Sequence, residues 1–361
     1  MKFIHTADLH LDSAIETLPS EKSKIRRDEI LHTFERLCEY AKENEVTAVI
    51  IAGDAFDKPR VSKKAAGRFI EALRSAADVD FLYLSGNHDQ TFLSEWGDAL
   101  PDNFKVFKNE WTAFRYGNVA ISGITFDKYN APFVYDNLKL KESDINIVCM
   151  HGQVLGYKSE EAAETISIPM LKNKYIDYLA LGHIHSYFEG VIDERGVYAY
   201  SGCPDGRGFD ETGVKGFVLL ETDGDGNGGK LNKKFVPFCS RVFAEKEFDV
   251  GGEESFYALK NKTIQALRSE YSADSLIKAV LKGEHGADFL VDKDDLAARL
   301  NEYFFFAKVY DKTRVKISAE DYALDKSVRG EFVRTVLESD LTEEEKNAVI
   351  LTGLNALRGE F

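Results

Sequence analysis

The sequence predicts an α/β layered fold followed by a smaller α+β part. Three observations carry that expectation. Short, nearly all-apolar runs recur through the first 240 residues and read as strands buried on both faces. Amphipathic helical stretches lie between the early runs, the alternation that builds layered α/β folds. Clusters rich in Asp and His fall where those runs end, which is where loop-borne sites of α/β sheets sit.

In chain order, residues 2–5 are the first strand. Residues 27–43 follow as a helix, because Ile30, Leu31, Phe34, Leu37, Cys38 and Ala41 fall on one stripe. Residues 47–51 form the second strand. Residues 62–76 form the second helix, with Ala65, Ala66, Phe69, Ile70 and Leu73 on its apolar face. Strands continue at 79–84, 119–124, 145–150, 178–181, 197–200 and 217–221. The later ones come closer together, which predicts hairpins and a second sheet. Residues 223–229 (DGDGNGG) begin like a calcium loop, but the twelfth position is Lys234 where a bidentate Glu is needed. The same residues spell Gly-x-Gly-x-x-Gly, yet no helix follows, so they read as a hairpin tip before a strand at 233–238. Beyond Pro237 the texture changes. Residues 241–325 mix strand-like runs (243–250, 277–282, 303–310) with helical ones (255–270, 293–302), and residues 326–361 read as helices. The expected domains are therefore 1–240, 241–325 and 326–361.

Composition bounds the class. The chain has 361 residues, enough for two domains. At 44% hydrophobic residues it is too apolar to be globally disordered. No apolar run approaches the roughly 18 residues of a membrane helix, so no membrane association is expected. Asp8 and His10 interrupt the N-terminus before any signal-like core can form. Cys38, Cys149, Cys203 and Cys239 are far apart and read as reduced thiols of a cytoplasmic protein. The net charge of −15 argues against a general electrostatic footprint on nucleic acid, so any such substrate needs local positive charge.

Five clusters carry the chemistry. They are Asp8-Leu-His10, Gly53-Asp54, Gly86-Asn87-His88-Asp89, His151-Gly152 and Gly182-His183-Ile184-His185, each at a strand end. Carboxylate, imidazole and amide oxygen together suit Mn²⁺, Fe²⁺ or Zn²⁺ rather than calcium, and no thiolate is offered. A bridging carboxylate holds two such ions about 3.5–4 Å apart, the arrangement of two-metal phosphate chemistry.

The order of these five clusters resembles the calcineurin-like metallophosphoesterase superfamily over residues 1 to about 240. The resemblance implies a four-layer sandwich of two stacked mixed β-sheets flanked by helices, with a C-terminal capping domain. It also implies a division of ligands: Asp8, His10 and His185 on one ion, Asn87, His151 and His183 on the other, and Asp54 between them. Water activated by the ions then attacks phosphorus in line. His88, oriented by Asp89, is the general acid for the leaving oxygen.

Within that superfamily, the opening residues 4–13 (IHTADLHLDS) are similar to SbcD-type DNA repair exonucleases, especially their YhaO-like branch. Residues 199–217 (AYSGCPDGRGFDETGVKGF) resemble a loop of the same nucleases, with Cys203 where Ser is usual. Arg207 and Lys215 in this loop are candidates for touching the DNA backbone. Residues 330–334 (GEFVR) resemble part of the family's C-terminal region. The resemblance implies DNA as substrate, Mn²⁺ as the ion, an SbcC-like coiled-coil ABC ATPase as partner, and a homodimer formed through residues 62–76 and 92–100. The alternative is a stand-alone metallophosphoesterase acting on small phosphodiesters or nucleotides.

Overall fold

The structure is a computed structural model. It describes residues 1–57, 61–86, 91–125, 129–154, 165–223, 230–317 and 322–358. Residues 224–229 of the expected hairpin tip and the site candidates Asn87, His88 and Asp89 lie outside the described residues. The chain divides into two compact units, Met1–Val242 and Phe243–Phe361.

The first unit is built on two six-stranded mixed sheets. One sheet contains β1 (Lys2–Thr6), β2 (Ala48–Ala52), β3 (Asp80–Leu84), β4 (Phe104–Val106), β13 (Gly216–Thr222) and β14 (Leu231–Pro237), in the order β14-β13-β1-β2-β3-β4. The other contains β5 (Thr112–Tyr116), β6 (Val119–Gly123), β7 (Ile145–His151), β10 (Tyr178–Gly182), β11 (Phe188–Val191) and β12 (Val197–Tyr200), in the order β11-β12-β10-β7-β6-β5. A separate two-stranded pairing joins β8 (Gln153–Val154) to β9 (Thr165–Ile166).

Period-2 alternation sorts the side chains of each central strand. On β1 and β2, Phe3, Ala48, Ile50 and Ala52 face the other sheet. There they meet Ile147, Cys149, Tyr178 and Ala180 of β7 and β10, all buried. The opposite face of the first sheet is covered by α1 (Ser20–Glu43) and α2 (Lys63–Ser75). Phe34 of α1 stacks on Phe69 of α2 at 4.7 Å and touches Phe81 of β3 at 6.4 Å. Short α3 (Phe92–Trp96) adds Phe92 to this cluster, 4.3 Å from Phe56. The opposite face of the second sheet, Val148, Met150, Leu179 and Leu181, is covered by α4 (Val134–Asn137) and α5 (Ile168–Leu171). Helix, sheet, sheet, helix is the four-layer order that the strand pattern and the resemblance imply.

The second unit holds two successive βαβ steps. β15 (Phe243–Asp249), α6 (Phe256–Glu270), β16 (Leu276–His285), α7 (Lys293–Leu300) and β17 (Phe306–Val315) form a three-stranded parallel sheet with its helices. Phe248, Leu259, Leu267, Ile277, Leu281, Leu296 and Leu300 are its core. Then α8 (Val328–Leu337) and α9 (Glu343–Arg358) pack together through Val333, Val336, Ile350 and Leu354. Among the described residues, no helix is long and apolar enough to cross a membrane.

Candidate metal centre

The carboxyl ends of β1 and β2 in one sheet meet those of β7 and β10 in the other. The β1 and β2 ends are zipped together past their last ladder bonds: Asp8 N–H donates to Gly53 O, His10 N–H to Asp54 O, and Leu11 N–H to Ala55 O. This brings the Asp8/His10 turn and the Gly53/Asp54 turn side by side. His183 N–H, at the end of β10, donates to both Asp8 oxygens at 2.9 and 3.0 Å. Four candidate ligands sit on left-handed backbone: Asp8 (φ 51°), His10 (43°), Asp54 (48°) and His183 (104°). Non-glycine residues occupy that region at a cost of order 1–3 kcal/mol each, and such residues cluster at functional sites. Gly53 both needs positive φ (95°) and leaves no room: a Cβ there would lie 2.0 Å from His151 Nδ1.

The donor atoms fall into two sets. Asp8, His10 and His185 offer atoms within 4.8 Å of one another, and so do Asp8, Asp54 and His151. Asp8 is common to both. His183 lies beside the second set, its ring 5.7 Å from that of His151. All of these side chains are buried except His185, which is 18% exposed.

His151, His10 and His185 each have a partner that orients the ring. His151 Nδ1 donates to Ala52 O at 2.8 Å, which turns Nε2 toward Asp54. His10 Nδ1 faces Asp57 Oδ1 at 3.2 Å, and His185 Nδ1 faces Glu211 Oε1 at 2.8 Å. Their Nε2 atoms then converge to 3.1 Å. A backbone carbonyl or carboxylate on one ring nitrogen, with the other aimed inward, is how metal-binding histidines are held.

The charge balance suits cations. Burial alone would depress the His151 pKa, but the Asp54 and Asp8 carboxylates outweigh it and lift the imidazole to about 9. His185 is likewise raised against its burial, chiefly by Glu211. Burial opposes ionisation of Glu211 itself, yet His185 and Arg207 hold its carboxyl well below the usual range. Carboxylates that raise the proton affinity of buried imidazoles leave the pocket with excess negative charge, and O/N donors in that setting fit divalent ions.

The expected ligands Asp8, His10, Asp54, His151, His183 and His185 are thus brought together. The two expected DNA contacts lie against the same site, beside His185. Lys215 is 3% exposed, and its Nζ donates to His185 O at 2.8 Å. Arg207 is engaged by Glu211, Asp57 and Ser13. Asp57 and Glu211 are functional residues that the sequence reading missed. Asp57 lies three residues beyond Asp54, and Glu211 lies inside the 199–217 loop. Nothing local marks either as a histidine partner. Cys203 lies beside them, its Sγ 3.5 Å from His185 O and 3.7 Å from Glu211 Oε2. All four cysteines are free.

The four-layer sandwich thus carries an Asp/His pocket suited to divalent ions at its strand ends. The calcineurin-like phosphoesterase family model matches residues 1–187, more than half of the chain, and the chain belongs to that family. It is similar to the Bacillus subtilis protein described as uncharacterized metallophosphoesterase YhaO, at 28% identity over 242 residues, covering 62% of this chain and 58% of that one. It is similar to the DNA double-strand break repair protein Mre11 of Methanosarcina acetivorans at 25% identity, covering 71% of this chain and 42% of the relative. The Mre11 of Aeropyrum pernix is 25% identical over 313 residues, covering 78% and 73% of the two chains. The matches to the first two relatives thus span 58% and 42% of their lengths.

Proposed function

We propose that this chain is a two-ion phosphodiesterase that hydrolyses DNA, the nuclease subunit of a repair complex. The observation that carries the reading is the pair of buried donor sets sharing Asp8, at the junction of two sheets. The DNA substrate is supported by the similarity to proteins named for DNA double-strand break repair over 71% and 78% of the chain.

Divalent ions at these sets, Mn²⁺ in this proposal, supply Lewis acidity to the phosphate oxygens and make a bound water acidic. The chain's own residues do the rest. Asp8, His10 and His185 form one cradle. Asp54 and His151 form the other, completed by His183 and Asn87. The Ala52 carbonyl and the carboxylates Asp57 and Glu211 keep the lone pairs of the imidazoles aimed inward. His88 donates the proton to the departing oxygen and Asp89 orients it. In this reading no Ser, Cys or Lys nucleophile takes part, so no covalent intermediate forms. An SbcC-like ATPase partner, a homodimer and a cytoplasmic location belong to the same proposal.

The test is cleavage of labelled linear DNA by the purified chain in Mn²⁺, with a generic phosphodiester run beside it. His88→Asn should lower turnover about 100-fold or more while Mn²⁺ binding is unchanged. Loss of the ion in that variant would refute the role of His88. Hydrolysis of the generic diester without DNA cleavage would keep the two-ion site. The ATPase would then be added. Failure to cleave DNA even then would move the substrate to small phosphodiesters or nucleotides.

A further inference from the structure

Around the first donor set, the side chains close into a ring. His10 Nδ1 lies 3.2 Å from Asp57 Oδ1. Arg207 Nη1 donates to the same Asp57 oxygen at 2.8 Å. Arg207 Nε and Nη2 donate to Glu211 Oε1 at 2.9 and 2.8 Å, and Arg207 N–H donates to Glu211 Oε2 at 2.7 Å. Glu211 Oε1 in turn lies 2.8 Å from His185 Nδ1. His10 and His185 then meet again at their Nε2 atoms, 3.1 Å apart. A further strut runs from Arg207 Nη1 to Ser13 Oγ at 3.3 Å, and that hydroxyl donates to His10 O.

We infer that Arg207 is a positioning residue for the ion held by Asp8, His10 and His185, acting through both histidines at once. The inference rests on the two-ion reading above. Asp57 comes from the turn after β2 and Glu211 from the loop after β12, so no backbone ladder fixes one relative to the other. The guanidinium joins them because its planar fork presents donors in two directions. Without it, two carboxylates would repel each other across the gap and each histidine could rotate away from its partner. A lysine keeps the charge but offers one compact ammonium, and cannot span both carboxylates in the same geometry. The guanidinium, 19% exposed, is engaged by both carboxylates.

The experiment is a Mn²⁺ titration of the full chain, free Mn²⁺ being counted by its room-temperature EPR signal, for wild type, Arg207→Lys and Asp57→Asn. Wild type should bind two ions. Arg207→Lys should weaken one site about 10–100-fold, the usual effect of losing an outer partner of a metal ligand, and leave the other unchanged. Asp57→Asn, which keeps the Arg207–Glu211 pair and cuts only the His10 arm, should weaken the same site; it carries the test if Arg207→Lys does not fold. Two unaltered sites in either folded variant would overturn the inference. Unaltered sites with a raised KM for DNA in Arg207→Lys would assign the side chain to substrate contact instead. Wild-type protein that binds no Mn²⁺ would sink the two-ion reading itself, a result distinct from either.

Discussion

His5 shows how one residue can set the pH range of a fold. It is 0% exposed between the two sheets, with Nδ1 2.9 Å from the Tyr178 hydroxyl. Burial holds its pKa down to about 3, against 6.5 in an unfolded chain. Between those values the unfolded state binds the extra proton, so stability rises with pH. This contribution is fully present above about pH 6.5 and is lost as pH falls toward 3. The folded protein should be about 2 kcal/mol less stable at pH 5 than above pH 7.5 from this group alone. Urea unfolding across that range checks it: His5→Gln should flatten the slope, and equal slopes in both proteins would exclude His5 as the source. The same scale shows what the sequence made legible. Asp8, His10, Asp54, His151, His183 and His185 were visible because each sits at the end of an apolar run, where few other polar residues compete. Asp57, Glu211 and His5 were not. Their roles depend on a partner between about 26 and 173 positions away, and no local spacing encodes that.

The buried strands of the first unit were legible for a related reason. β2 and β10 are buried at every position, and an unbroken apolar run between turn residues has few other readings. β4, β5 and β11 escaped notice. β4 has only three residues, and β5 and β11 are edge strands with polar or exposed positions. Helix α1 begins at Ser20, seven residues before the expected start at 27 and ten before its apolar stripe opens at Ile30, and no side-chain cap marks that start. Its early turns have a purpose that periodicity could not show. Arg26 is fully buried and donates to Asp205 Oδ1 at 2.7 Å and to Gly206 O at 2.8 Å. Asp205 also accepts from Thr33 Oγ1 and Ser240 N–H. This fastens the loop that carries Arg207 and Glu211 onto α1. Arg26→Met would leave the Asp205 carboxylate buried beside two neutral donors and no cation. It should destabilise the protein by about 3–5 kcal/mol. Chemical denaturation measures the loss. A change under 1 kcal/mol would mean that the loop is held by other contacts.

Charge is the property of the whole molecule that bears most on the proposed substrate. Basic residues gather at 60–68 and at 230–234. Three of the six described basic residues there are paired with neighbouring carboxylates: Lys64 with Asp28, Arg68 with Glu35 and Asp28, and Lys233 with Glu189. The sheet of the second unit repeats the pattern, with Lys278 on Glu245 and Lys282 on Glu247. Cations spent on neighbouring carboxylates release few counterions when a phosphate backbone approaches, and a net charge of −15 repels that backbone at long range. The attraction must therefore come mainly from the ion site, which is confined to one junction of two sheets. Under the DNA reading this has a measurable signature. The uncleaving variant His88→Asn should bind duplex DNA weakly, and only when Mn²⁺ is present. The plot of log K against log salt should be shallow, with a slope corresponding to about two or three phosphates rather than the 6–10 of a protein with an extended basic face. Fluorescence anisotropy at several salt concentrations gives that slope. Tight binding without Mn²⁺, or a steep slope, would show a cationic surface that the described ion pairs do not provide. A shallow slope would instead make a partner protein the natural source of DNA affinity, since a chain of this charge gains by borrowing a positive surface it does not build for itself.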